Sequence, residues 1–167
     1  MAYSVVPKTR RDGEIELIDG TGPAVTLIVS YEEGNLSIDV PSAYSTLMTR
    51  DRGDISSVRK QEQNVITGSF SFNLRQFTDT GLAGSIIDFI NKTGFYNQNE
   101  STGSTGTPYI EQFCIDIKYT VEGTDHGDPA DSVATLTKCE INSYAIAEGD
   151  PTTVTLNFTC YGGVTYL

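Results

Sequence analysis

The chain has 167 residues, with 11 Lys and Arg against 22 Asp and Glu, giving a formal charge of −11. That length suits one domain, residues 1 to 167, whose apolar core needs no disulfide framework. The charge argues against a protein that wraps nucleic acid, because phosphate binding is driven by Lys and Arg. It excludes a DNA conduit less firmly, since a polyanion can slide past an acidic wall without sticking.

The first residues, Met-Ala-Tyr-Ser-Val-Val-Pro-Lys-Thr-Arg-Arg, contain no apolar leader, which points to folding in a reducing cytoplasm. No apolar run approaches the roughly 20 residues of a membrane-spanning helix, so a soluble protein with no membrane partner is expected. From Glu14 to Asp19 residues alternate, with Ile15 and Leu17 inward, and Ala24 to Ser30 is apolar and β-branched. Turn residues from Tyr31 to Asn35 lead into Leu36, Ile38 and Val40, which alternate with Ser37 and Asp39 until Pro41 stops the strand. A hairpin follows from this.

Periodicity is then lost from Ser42 to Gln63, and a long polar loop is expected over about 42–63. It holds Arg50, Arg52, Arg59 and Lys60, which with Lys8, Arg10 and Arg11 make seven of the eleven basic residues. Residues 122 to 167 instead hold seven acids against Lys138 alone. Solvated loop charge explains any single one of these, but such segregation also suits head-to-tail stacking. The Arg52-Gly53-Asp54 triplet carries no adhesive meaning by itself.

The next segment is the most informative. Ile66, Gly68, Phe70, Phe72 and Leu74 alternate with Thr67, Ser69, Ser71, Asn73 and Arg75, the period of a half-buried strand. Across a Thr80-Gly81 break, Leu82, Ile86, Phe89 and Ile90 form a helical stripe. Ser85 with Asp88 resembles a capping box, a start at Asp79 or Thr80 is the alternative, and Lys92 with Gly94 supplies the stop. One flanking helix is expected over about 82–93.

Asn97 to Thr107 reads as a flexible loop. A long strand follows, with Phe113, Ile115, Ile117, Tyr119 and Val121 on one face and Gln112, Cys114, Asp116, Lys118 and Thr120 on the other. That phase makes Cys114 the most readily alkylated of the three cysteines, with Cys139 and Cys160 as core thiols; whether any of them pairs is left open. After the acidic turn Gly123 to Asp131, Val133 to Ala147 and Val154 to Cys160 form a closing antiparallel meander around Glu148-Gly149-Asp150-Pro151.

Catalytic chemistry has little to stand on. The single histidine, His126, lies among Asp125, Asp128 and Asp131 without calcium-loop spacing or a nucleophile beside it. There is no CxxC pair, no phosphate loop and no opposed carboxylate pair that adjacency could establish. No catalytic residue, metal ligand or cofactor is assigned.

The order of elements, ending in Glu-Gly-Asp-Pro-Thr-Thr-Val-Thr-Leu-Asn-Phe-Thr-Cys-Tyr-Gly-Gly, resembles phage major tail tube proteins, relatives of the type VI secretion tube, from about Glu14 to Gly163. The resemblance implies a mainly β, antiparallel sandwich or partial barrel with one flanking helix, assembled as stacked, usually hexameric rings. It would make 42–63, with Arg50, Arg52, Arg59 and Lys60, a contact between rings or neighbours. Expected partners are further copies of the chain and other tail proteins such as sheath, terminator or baseplate; DNA passes through unbound. The particle would be a virion tail assembled in the host cytoplasm. Asp116, Thr120, Glu140 and Asn142, on the more polar phases of the longest strands, are the lumen-lining candidates. Terminator, distal tail and baseplate proteins share the fold. The alternative from another class is a carbohydrate-binding or adhesive β-sandwich with Tyr96, Tyr109 and Tyr161 as a platform.

Overall fold

A computed structural model describes residues 13–30, 35–74, 76–79, 82–102, 112–121, 123 and 130–167. Its centre is one antiparallel seven-stranded sheet built from β1 (Gly13–Ile18), β2 (Thr26–Ser30), β3 (Ser37–Asp39), β6 (Ile66–Asn73), β9 (Cys114–Val121), β10 (Ser132–Ala147) and β11 (Thr153–Tyr166). The strands run in the order β2-β1-β9-β10-β11-β6-β3. Two further ribbons stand apart, β4 (Tyr44–Asp51) with β5 (Asp54–Gln63), and β7 (Gln76–Asp79) with β8 (Leu82–Ser85).

Seven strands about 4.8 Å apart span roughly 29 Å. Helix α1 (Ile86–Asn91), at about 1.5 Å per residue, is near 9 Å long and cannot cover such a surface. The sheet instead covers itself. Ile15, Leu17 and Ile117 from one wing and Phe70, Phe72 and Phe158 from the other belong to one buried cluster, with Ile86 and Phe89 of α1 added at its side. The result is the mainly β sandwich with a flanking helix that the sequence implies.

The two wings meet along β10 and β11, whose register slips between Thr137 and Cys139 and again between Ile141 and Ser143. Such bulges bend a strand and raise its twist. At the first, Lys138 takes φ 57° and donates its backbone N–H to Asp116 Oδ1 at 2.9 Å. Gly68 serves the other wing, because a Cβ there would lie 2.6 Å from Ser37 O and would overlap the Phe158 ring.

Two expectations change. The 42–63 segment is a hairpin rather than a loop: Met48 faces Val58, Leu47 faces Arg59, and Arg52 (φ 49°) with Gly53 (φ 94°) makes the two-residue turn. Positive φ at both positions is the turn type that matches strand twist. The Arg-Gly-Asp triplet is therefore the hairpin's tip. Period-two alternation is missing because neither face is buried: Leu47, Met48, Ile55 and Val58 are all exposed.

The helix is shorter than 82–93. Its first four expected residues pair as β8 with β7, through Gln76 to Ser85 and Asp79 to Leu82. Gly84 is a poor helix former, and a Cβ there would overlap the Tyr96 ring. Ser85 then caps. Its hydroxyl accepts the Asp88 N–H at 3.1 Å, and the Asp88 carboxylate accepts the Ser85 N–H at 3.0 Å, so the capping box is the one expected. Lys92, at φ 54°, ends the helix. The Thr80-Gly81 break and residues 103–107 of the loop lie outside the described residues.

Candidate functional site

Opposite the core, the outer face of the β10–β11–β6–β3 wing is laid out in rows by strand register. Ala147, Thr153 and Asn73 form one row, and Ala145, Thr155 and Ser71 the next. Ser143, Asn157, Ser69 and Ser37 form the third, and Glu140, Thr159, Thr67 and Asp39 the fourth. No basic side chain occupies any of these positions.

The side chains bond to one another across the strands. Thr155 Oγ1 donates to Ser71 Oγ at 3.3 Å, Asn157 Nδ2 to Ser143 Oγ at 3.1 Å, and Asn142 Nδ2 to Thr159 Oγ1 at 2.7 Å. Tyr161 donates to Glu140 Oε2 at 2.6 Å, and that bond, followed by burial and the Glu140 charge, pushes the phenol up to about 12. The surface is thus neutral and hydroxyl-bearing over three rows, with carboxylates only in the fourth. Polar groups already satisfied by their neighbours offer a passing polymer little to grip.

The four lumen candidates divide between two places. Glu140 and Asn142 join the hydroxyl-lined face at its acidic row. Asp116 and Thr120 lie on β9 in the other wing, where Asp116 braces the Lys138 bulge and Thr120 Oγ1 is buried with no partner among the described residues. Beside them Lys118 Nζ meets Glu16 Oε1 at 2.6 Å, directly across the β1–β9 pairing. Sequence reading passed over Ser69, Ser71, Thr155 and Asn157 as site residues, although their alternation with Phe70, Phe72, Val154, Leu156 and Phe158 was the available signal.

Arg50, Arg52, Arg59 and Lys60 are brought onto the single β4–β5 hairpin, Arg52 at its tip and Lys60 Nζ 5.0 Å from the centre of the Tyr44 ring. At its base Asn64 ties back to Ala43 O and Ser42 O. Among the described residues the hairpin pairs with no third strand.

Two further expectations are corrected. Cys114 lies opposite Glu140 on the polar face, as alternation requires, yet it is 0% exposed. Burial, then the nearby Glu140 and Asp116 charges, pushes its thiol up to about 11, and the exposure on which its ready alkylation was expected is absent. Tyr96, offered as part of a sugar platform, is buried edge-on against Phe89 at 5.4 Å. Tyr109 and the His126 turn lie outside the described residues. Among the described residues no group of three or more His, Cys, Asp or Glu side chains could hold a metal ion. No helix there is long and apolar enough to cross a membrane.

The fold is similar to that of chains from contractile injection systems. A chain of the sheath–tube complex of an extracellular contractile injection system matches with a TM-score of 0.56 at 12% identity, covering 96% of this chain and 91% of that one. The sheath/tube terminator of the same kind of system matches at 0.57 and 13%, covering 99% of both chains, and the tube-terminating cap of the anti-feeding prophage at 0.58 and 11%, covering 100% and 95%. No family model and no curated protein matches the sequence.

Proposed function

We propose that this protein is a structural subunit of a phage-like tail, with no catalytic step, that assembles into rings, six copies each, stacked as a tube. The observation that carries the reading is the hydroxyl-lined face, free of basic side chains, backed by its own core. It would form the lumen wall, with Glu140 and Asn142 at the acidic row, and let DNA pass without binding. Asp116 would approach the lumen at the Lys138 bulge, where the wings meet, whereas Thr120, opposite Val133 with its hydroxyl buried, would lie away from it.

Ring closure has visible means. β10 pairs with β9 only as far as Glu140, so from Asn142 to Ala147 its second edge is open among the described residues, with Tyr144 and Ile146 exposed beside it. An open edge is a template for a strand of the next copy. The β4–β5 hairpin, which exposes Leu47, Met48, Ile55 and Val58 and is basic at Arg50, Arg52, Arg59 and Lys60, would reach a neighbouring subunit or ring. A heterologous contact of this kind extends rather than closes.

The likeness to terminator and cap chains supports a second placement within the same particle, at the end of the tube rather than along it. Electron microscopy of the purified protein separates the two: tubes of uniform width support the first, and single rings that never stack support the second. A monodisperse monomer would sink both. In assembled tubes, Ser71→Lys with Thr155→Lys should preserve the rings but make them retain labelled DNA in filter binding.

A further inference from the structure

Cys139 and Cys160 stand directly opposite each other in the β10–β11 pairing, and both are shut away from solvent. The Cys160 thiol donates to Thr137 O at 3.1 Å and to Gly163 O at 3.3 Å. Facing residues of an antiparallel pair have Cα atoms about 4.5–5.5 Å apart, inside the window of about 4.4–6.8 Å that a disulfide requires. The bulge fixes the pair further. Asp116 holds the Lys138 N–H one residue before Cys139, and Gly163 at φ 97° lies three residues after Cys160. A Cβ on Gly162 would overlap Thr137, so the strands meet closely at this point.

We infer that Cys139 and Cys160 are a cross-strand dithiol that oxidises to a buried disulfide when the folded protein meets a small-molecule disulfide such as oxidised glutathione. The proximity of the two sulfurs pulls their titrations apart, Cys160 downward and Cys139 upward. When local opening breaks the bonds to Thr137 O and Gly163 O, Cys160, beside the exposed Tyr161, loses its proton and attacks first. It displaces one glutathione thiolate, forming a mixed disulfide; Cys139 then attacks the Cys160 sulfur and displaces the second. The protons of the two cysteines leave with the two glutathione thiols, and the pair is oxidised by two electrons while the oxidant is reduced by two. Entry of the oxidant requires the end of the β10–β11 ribbon to open locally, where Tyr161 and Tyr166 are exposed. Cys114, on the opposite face of its strand, remains a thiol. On the tail reading, from which this regulation takes its setting, the bond would close after the particle leaves a reducing compartment.

The full-length protein, purified with reductant, is held in oxidised glutathione with urea below the unfolding transition, then denatured, alkylated with N-ethylmaleimide and weighed. Three cysteines are present, and one adduct should remain, mapped by peptide analysis to Cys114. Closing this loop should raise Tm by on the order of 5–10 °C. Cys114→Ser should keep that rise, and Cys139→Ala and Cys160→Ala should each lose it. Three adducts after oxidation, or a disulfide that includes Cys114, would overturn the inference. Ring formation is scored separately by microscopy, so the loss of the tail reading leaves this result standing.

Discussion

The seven-stranded sheet and the β4–β5 hairpin are both antiparallel, yet one is organised around burial and the other is not. In the sheet, Ile15, Leu17, Phe70, Phe72, Ile117, Leu136, Leu156 and Phe158 are almost wholly inaccessible, and all but Leu17 are followed by a polar residue. In the hairpin, Leu47, Met48, Ile55 and Val58 are exposed on a ribbon with no layer behind it among the described residues. A two-stranded hairpin is marginal in water, so exposed aliphatic residues along it make sense as contacts that assembly completes. The core contributes to folding, and the proposed function gives the hairpin to association.

Substitutions can break that comparison at both ends. Phe158→Ala removes a ring packed 6.3 Å from Phe70 and should cost about 3–5 kcal/mol in urea unfolding. A loss below about 1 kcal/mol would mean that the two wings do not share one core. Ser85→Ala, at the margin of that core, should cost about 1 kcal/mol by removing the cap of α1.

The same cap gives a pH signature. Hydrogen bonds from the Ser85 hydroxyl, then the Ser85 N–H and the Thr93 hydroxyl, hold Asp88 below its ordinary value of 3.8. A folded-state value below the unfolded one contributes stability that is complete above 3.8 and is lost as pH falls through the folded value. The wild type should therefore lose stability faster than Asp88→Asn as pH falls below 3.8. Equal slopes would remove Asp88 from the capping role.

The smallest effect on the isolated subunit belongs to the hairpin. Met48→Ser with Val58→Ser should change unfolding free energy by no more than about 0.5 kcal/mol while abolishing higher assemblies in sedimentation velocity. A large destabilisation would show that the hairpin is part of the core, and unchanged assembly would remove it from the interface.

What the sequence revealed follows the same division. β6, β9, β10 and β11 were legible because one face of each is buried, which writes period two into Phe70-Ser71-Phe72 and Val154-Thr155-Leu156. The Ser85–Asp88 cap was legible because it is local. The hairpin was not, since a ribbon wet on both sides has no reason to alternate and Arg52-Gly53 is a muted turn signal beside Asn-Gly. β8 was taken for a helix because Leu82 and Ile86 share a helical spacing; the backbone pairing with β7 decides otherwise. The rows of the hydroxyl-lined face were half legible: each strand shows its polar phase, but the order β10-β11-β6-β3 is set by long-range pairing. Likewise, nothing near Asp116 in the chain announces that it accepts the Lys138 N–H, and nothing near Cys114 announces its burial.

β10 and β11, at 16 and 14 residues, run without interruption through both wings. Their bulges bend the ribbon without cutting it, so the halves of the sandwich are joined by continuous covalent chain as well as by side-chain packing. A tensile load applied to one half reaches the other along peptide bonds, and the two cannot slide past each other unless this ribbon ruptures as a whole. In a particle that is pulled and compressed, that continuity would make each subunit yield in one step, a behaviour single-molecule stretching would register as a single force peak.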